Sequence, residues 1–327
     1  MPARLPRRSV FRDVPWRWSD VLVGFAPFLL LRATTALIGP RPSLVAASRQ
    51  LLIPLTLLGQ AWMIVVPLWI ARTRRTHGAL LLPRPRAVLV EALFALLALP
   101  GLFAASNAVT LIVAHLSGGM ESRTFPWSSQ AGAFNRIEWV AFIILAVTSA
   151  PVAEEIFYRG FFYNALRQRL HPILAAPIQA AVFGYFHPFG FANSAGIAMT
   201  ALLLVLVYEW RKTLVTPILS HALMNAVGIA LLTLSLAADA AAPRIGVLGE
   251  ARQQGCLITE LVAGGGAEAA GLQVGDVITT VDGEPVADIP GIARVIRKHQ
   301  VGDTVSVEFL RAGKPRRAEV LHVRLTK

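Results

Sequence analysis

Hydrophobic positions fill the first 236 residues in long runs, at 21–38, 51–71, 87–114, 137–158, 172–191, 196–210 and 213–236. A helix rises ~1.5 Å per residue, so about 20 apolar residues cross a bilayer core of about 30 Å. The runs predict seven membrane-spanning helices, the shortest at 196–210. Past Leu236 the pattern changes. The stretch "AADAAAP", 237–243, reads as a small-residue linker, and from Arg244 onward charges mix with short alternating segments. "DVITTVDGEPV" alternates around Asp282-Gly283, a dipeptide suited to a two-residue hairpin. "IPGIARVIRKH" has helical spacing at Ile292, Val295 and Ile296, and "TVSVEFLRAGKPRRAEVLHV" predicts a second hairpin across Ala312-Gly313-Lys314. The expected fold class is an all-α polytopic membrane protein of about seven helices, followed by a small α/β domain. The expected organisation is a membrane domain at 1–236, a linker at 237–243 and a soluble domain at 244–327.

Composition agrees with the pattern. Of 327 residues, 55% are hydrophobic and 15% charged, with a mean hydropathy of +0.57, too apolar for an ordinary soluble chain. The net charge of +12 does not point to nucleic acid, because the arginines sit at span ends rather than on one face of a folded domain. Arg4, Arg7, Arg8, Arg12 and Arg17 precede the first run. Arg72, Arg74, Arg75, Arg84 and Arg86 follow the second; Arg159, Arg167 and Arg169 follow the fourth; Arg211 and Lys212 precede the seventh. The intervening loops hold only Arg41, Arg49, Arg123 and Arg136. The positive-inside bias therefore puts the N terminus in the cytoplasm and, after an odd number of spans, the C-terminal domain outside. The first run carries Arg32 and no small-residue cleavage site follows it, so it reads as an anchor. Cys256, the single cysteine, cannot form an internal disulfide and is expected to be a small buried apolar residue.

Against this background, three spans carry polar residues that hydrocarbon does not tolerate. A carboxylate at the membrane centre costs about 2.5–3.5 kcal/mol on insertion scales, so such groups face a protein interior or a watery cavity. "TSAPVAEEIFYRGFF" holds Glu154 and Glu155, with Arg159 at i+4 from Glu155 in the favourable order. Glu154, about 100° round the helix, stays free for other work. "VFGYFHPFG" places His187 in an apolar helix one turn after Phe183. "PILSHALMNAVG" puts His221 and Asn225 on one helix face. Taken singly, the glutamates read as an ion pair at a helix end and each histidine as a satisfied core residue. Counted at ~1.5 Å per residue, Glu154 lies about 20 Å from Arg167, His187 about 22 Å from Pro172 and His221 about 15 Å from Arg211. One shared level, hence one buried site, is the expectation.

Glu-Glu-x-x-x-Arg, Phe-x-x-x-His and His-x-x-x-Asn, in this order on the fourth, fifth and seventh spans, resemble the CPBP family of intramembrane proteases, which includes type II CAAX prenyl endopeptidases and bacterial bacteriocin-processing or immunity (Abi) proteins. The resemblance covers roughly residues 134–231. It implies an endopeptidase in a bacterial inner membrane acting on membrane-associated proteins or peptides. Peptide hydrolysis needs a water deprotonated as it attacks, an acid for the leaving amine and donors for the oxyanion. The family's glutamate-type mechanism makes Glu154 the general base with His187 sharing the water. His221 and Asn225 then donate to the oxyanion, and Glu155–Arg159 fixes the helix. No metal is favoured. The competing form is a His₂Glu zinc site of Glu154, His187 and His221, against which stand the absence of a His-Glu-x-x-His helix and the amide of Asn225. Two non-enzymatic readings stay open: a peptide-binding scaffold or immunity protein, and a transporter using Glu154 as a proton site, although the internal repeats of transporters are not seen.

The segment "GGGAEAAGLQVGDVITTVDGEPV", within 244–327, is similar to PDZ domains attached to bacterial proteases: a short helix, Gly271, then Gly275-Asp276 opening a strand. By this resemblance the backbone N–H groups of Ile245, Gly246 and Val247 receive a peptide carboxylate, and the helix at 291–299 walls a groove that takes an extended segment as an added strand. The expected partners are a substrate in the bilayer and, at the PDZ groove, a peptide C terminus or an exported segment.

Overall fold

The computed structural model describes residues 16–38, 42–74, 88–118, 135–187, 189–311 and 319–326. Pro188, the turn Ala312-Gly313-Lys314 and nine of the arginines used for topology (Arg4, Arg7, Arg8, Arg12, Arg41, Arg75, Arg84, Arg86 and Arg123) lie outside these residues. The chain forms two compact units, Met1–Leu231 and Leu232–Lys327.

The first unit is helical: α1 (Trp18–Ile38), α2 (Pro42–Thr73), α3 (Val88–Leu116), α4 (Arg136–Arg167), α5 (Pro172–Tyr185), α6 (Phe191–Arg211) and α7 (Val215–Ala241). Among the described residues, five stretches are long and apolar enough to cross a membrane: Ile53–Thr73, Val88–Leu116, Arg136–Arg167, Phe191–Arg211 and Val215–Ala241. The other two apolar runs form α1 and the 14-residue α5, which at ~1.5 Å per residue is about 21 Å long. The run 172–191 is therefore not one helix. It stops at Tyr185 because His187 precedes a proline, and a residue before proline is pushed out of the α region. Phe186, Phe189 and Phe191 carry the apolar pattern across the turn and hide the break. Conversely, 237–243 is helical through Ala241, as alanine favours.

Helix α4 begins at a reciprocal cap. Asn135 Oδ1 accepts from Glu138 N, and Glu138 Oε2 accepts from Asn135 N, both at 2.9 Å; two of the helix's orphan N–H groups are thereby satisfied. The helix is π-helical at Leu145–Ser149 and Ile156–Tyr163, so it winds with more residues per turn on both sides of Glu154 and Glu155. Its second half is aromatic and buried. Phe157 and Phe162 meet Phe25 of α1 edge-on at 4.9 and 5.0 Å, and Trp16, itself buried, meets Phe161 at 5.0 Å. Two glycines let helices touch. A Cβ on Gly184 of α5 would stand 2.5 Å from Ser194 O and 2.8 Å from Ala198 Cβ of α6. One on Gly196 of α6 would collide with Thr110 Oγ1 and stand 2.9 Å from Ser106 O of α3.

The second unit is an antiparallel sheet of β1 (Val247–Arg252), β2 (Gly255–Leu261), β3 (Val277–Val281), β4 (Glu284–Pro285), β5 (Thr304–Leu310) and β6 (Glu319–Arg324), with helices α8 (Gly266–Ala270) and α9 (Ile289–Ile296). The strand order is β1-β2-β3-β5-β6, with β4 paired to β3. Arg244 and Thr326 exchange backbone hydrogen bonds of 2.8 and 2.9 Å, which partly closes the sheet. Asp282 and Gly283 turn β3 into β4 with φ of 48° and 75°, the left-handed pair that a two-residue hairpin demands. Asp288 caps α9 through Gly291 N at 2.8 Å. Cys256, Ile278, Val281, Val307 and Phe309 fill the core with no exposed area, and burial pushes the Cys256 thiol pKa up. Asp276, also buried, grips Arg311 in a fork of 2.8 and 2.7 Å that holds the guanidinium above its usual pKa.

Candidate active site

Three helices converge on Glu154. Its Oε2 lies 3.8 Å from His221 Nε2 on α7 and 4.0 Å from His187 Nε2 beyond the end of α5. Those separations are too long for direct hydrogen bonds, yet each is short enough for a water to bridge. Among the described residues Oε2 of Glu154 has no hydrogen-bond partner. Glu155 differs in every respect. It is fully buried, and its Oε1 accepts from Arg159 Nη1 at 2.9 Å and faces His221 Nδ1 at 2.9 Å. Arg159, equally buried, donates its other terminal nitrogen to Ala201 O of α6 at 3.1 Å. The side chain of Glu154 keeps 18% of its surface exposed and that of Glu155 none, so only the former can meet an incoming molecule.

Both imidazoles are oriented from behind. His187 Nδ1 is 2.7 Å from Phe183 O; a carbonyl only accepts, so Nδ1 carries the hydrogen and the neutral ring presents its lone pair at Nε2. For His221 the carboxylate of Glu155 accepts the Nδ1 hydrogen. The Phe183 ring lies among them, with its centroid 4.5 Å from His187, 6.1 Å from His221 and 4.9 Å from the Arg159 guanidinium carbon. Six candidates thus fall into two groups. Glu154, Glu155, Arg159, His187 and His221 share one network, whereas Asn225 donates from Nδ2 to Ala146 O at 2.8 Å, two turns before Glu154 on α4. That carbonyl lies in the first π segment, a partner no side-chain pattern announces. Among the described residues no group of three or more His, Cys, Asp or Glu side chains is arranged to hold a metal ion.

Residues 136–227 match the family model of type II CAAX prenyl endopeptidase Rce1-like proteins, and residues 243–321 match that of PDZ domains. The chain joins an Rce1-like domain to a PDZ domain. With its apolar helices it is a multi-pass membrane protein, and all six candidate residues lie in the Rce1-like segment. Over 62 residues the chain is 42% identical to a serine protease Do-like HtrA of Lactobacillus helveticus, covering 19% of this chain and 15% of that one. Over 67 residues it is 40% identical to a probable periplasmic serine endoprotease DegP-like protein of Rhizobium meliloti (strain 1021), covering 20% and 13%. The likeness therefore spans a small part of those relatives' length. Among solved structures, the HtrA3 PDZ domain bound to a phage-derived ligand aligns over 25% of this chain and 84% of that one, at 16% identity and a TM-score of 0.23.

In the PDZ domain β1 is an edge strand, and a cleft beside it is lined by Ile245, Gly246, Val247, Ile289, Ile292 and Ile296. The three residues expected to receive a peptide terminus thus border one groove with α9. Gly246 has φ of +82°, and a Cβ there would stand 3.0 Å from Gly265 Cα. His299 lies 3.0 Å from Asp282.

One cluster had a weak signal. Glu91, three residues into α3, accepts from Arg211 Nε and Nη2 at 3.0 and 2.7 Å and from Thr216 Oγ1, which ties α3, α6 and α7 at one end. A lone acid in an apolar run is the only hint of it in the sequence. Glu209 is a comparable hub for Tyr163, Arg167 and Lys212.

Proposed function

We propose that the chain is an intramembrane endopeptidase that hydrolyses peptide bonds of membrane-associated proteins or peptides, with its PDZ domain recognising a substrate segment or a partner's terminus. The observation that carries the reading is Oε2 of Glu154, without a hydrogen-bond partner among the described residues, facing the Nε2 atoms of two imidazoles whose Nδ1 sides are already engaged. A water held between them gives one proton to Glu154 and directs the other toward an imidazole lone pair. Its oxygen then attacks the peptide carbonyl carbon, and the carbonyl electrons move to oxygen. His221, backed by Glu155, carries a second proton at Nε2 and donates it as a hydrogen bond to that oxyanion. Asn225 contributes the amide hydrogen that Ala146 O does not use. As the C–N bond breaks, Glu154 passes its proton to the leaving amine. Arg159 holds Glu155 in place and keeps it from acting as a second base.

In this reading the reaction takes no metal. Exhaustively chelated, metal-analysed protein retains cleavage of a peptide library in detergent; activity lost on chelation and restored stoichiometrically by Zn²⁺ would assign Glu154, His187 and His221 to zinc instead. Glu154→Gln, which preserves shape and removes the base, abolishes cleavage; wild type that never cleaves would favour a peptide-binding scaffold or immunity role. The arginine distribution supports a cytoplasmic N terminus and an external PDZ domain, in the bacterial inner membrane that the family resemblance implies.

A further inference from the structure

Arg32 sits in apolar α1, and an arginine in a membrane-spanning helix is costly unless something satisfies it. Its Nη2 donates to Tyr185 O, and its guanidinium lies 4.9 Å over the Tyr185 ring. Tyr185 is the last residue of α5. The carbonyls of a helix's last turn lack intrahelical donors. The N–H that could follow at position 188 is missing because that residue is proline, and Phe189 N is bonded to His187 O at 2.9 Å. A cation on this carbonyl also opposes the negative end of the helix dipole. The same face of α1 holds the next residue of the turn: the Phe186 ring lies 5.6 Å from Phe25 and 6.1 Å from Phe28.

Among the described residues His187 makes no direct hydrogen bond to α4 or α7; its nearest polar approach there is the 4.0 Å from Nε2 to Glu154 Oε2. Its N donates to Gly184 O at 3.0 Å, its Nδ1 to Phe183 O at 2.7 Å, and its O accepts from Ser194 Oγ at 2.6 Å. Two of these anchors belong to the last turn of α5, so where that turn sits decides where Nε2 points. We propose that Arg32, outside the Rce1-like segment 136–227, is a positioning residue: by capping α5 it fixes the imidazole of His187 against Glu154. The inference rests on the proposed peptidase reading.

The test compares purified full-length wild type, Arg32→Ala, Arg32→Lys, Val21→Ala and His187→Ala on one cleavable peptide, with thermal melts of each. Val21 is a buried residue of α1 about three turns before Arg32 on that helix and controls for general loosening. Arg32→Ala should lower kcat on the order of ten- to a hundredfold, as small misplacements do, with KM within about twofold because no substrate contact is lost. Arg32→Lys, which keeps a cationic donor for Tyr185 O, should recover most of kcat. Val21→Ala should lower the melting temperature without that fall in kcat per folded molecule. Three results overturn the proposal: Arg32→Ala with wild-type kcat, a kcat loss that merely tracks melting temperature in both α1 variants, or no recovery with lysine in a protein that melts like wild type. Unchanged cleavage by His187→Ala would instead sink the peptidase reading on which the proposal stands.

Discussion

Glu154 and Glu155 are neighbours in the chain with opposite surroundings, so the same isosteric change should do different things to each. Glu154→Gln removes a charge that no described side chain hydrogen-bonds; melting should stay near wild type while cleavage falls about 10²–10⁴-fold, the usual worth of a positioned general base. Glu155→Gln takes the counter-charge from Arg159, whose side chain is wholly buried, and breaking such a pair costs about 3–5 kcal/mol. Denaturation and cleavage measured together separate the two; a destabilised Glu154→Gln or a fully stable Glu155→Gln contradicts the assignment. What the sequence shows at this scale follows distance along the chain. The Glu155–Arg159 pair is legible because a helix places i and i+4 together. The contact of Glu155 with His221, 66 residues away, is legible only as a common depth. The bond from Asn225 to Ala146 O has no sequence signature, since every residue offers a carbonyl.

At the scale of elements, apolar periodicity locates helices well and their ends poorly. It does not distinguish α5 from the turn after it, because phenylalanines line both. Nor does it reveal the π segments of α4, because an extra residue per turn only shifts which side chains face inward. Hairpin chemistry is sharper: Asp282-Gly283 names its own turn. Close helix contact is also invisible until the partner is known. Gly196→Val should force α3 from α6, since even a Cβ collides with Thr110, and overpacking of this kind costs about 1–3 kcal/mol. Gly101→Ala on α3, where an added Cβ meets nothing within 4 Å, is the control. Equal melting temperatures for the two variants would refute the tight α3–α6 approach.

For the whole molecule, the proposed external PDZ domain cannot hand a bond to Glu154 from the cytoplasm, so its expected part is docking or gating. Deleting 244–327 should change which proteins are cut and how fast, and leave hydrolysis of a short unstructured peptide nearly intact. Loss of that basal cleavage in a deletion variant that still folds would make the domain part of the catalytic architecture. Labelling of an engineered PDZ surface thiol only after cells are permeabilised would place the domain in the cytoplasm. The labelling experiment benefits from Cys256, the chain's single cysteine, which has no exposed surface and a thiol pKa raised by burial. Thiolate is the species that alkylates, so native protein should resist maleimide, and engineered thiols can be read without first removing it. Slow modification of Cys256 then counts openings of the domain core, and the logarithm of its protection factor gives the local opening free energy. A peptide that settles in the groove beside β1 should raise that free energy in proportion to the logarithm of its concentration once the groove is saturated, which gives a binding assay that needs neither a known cleavage site nor a working protease.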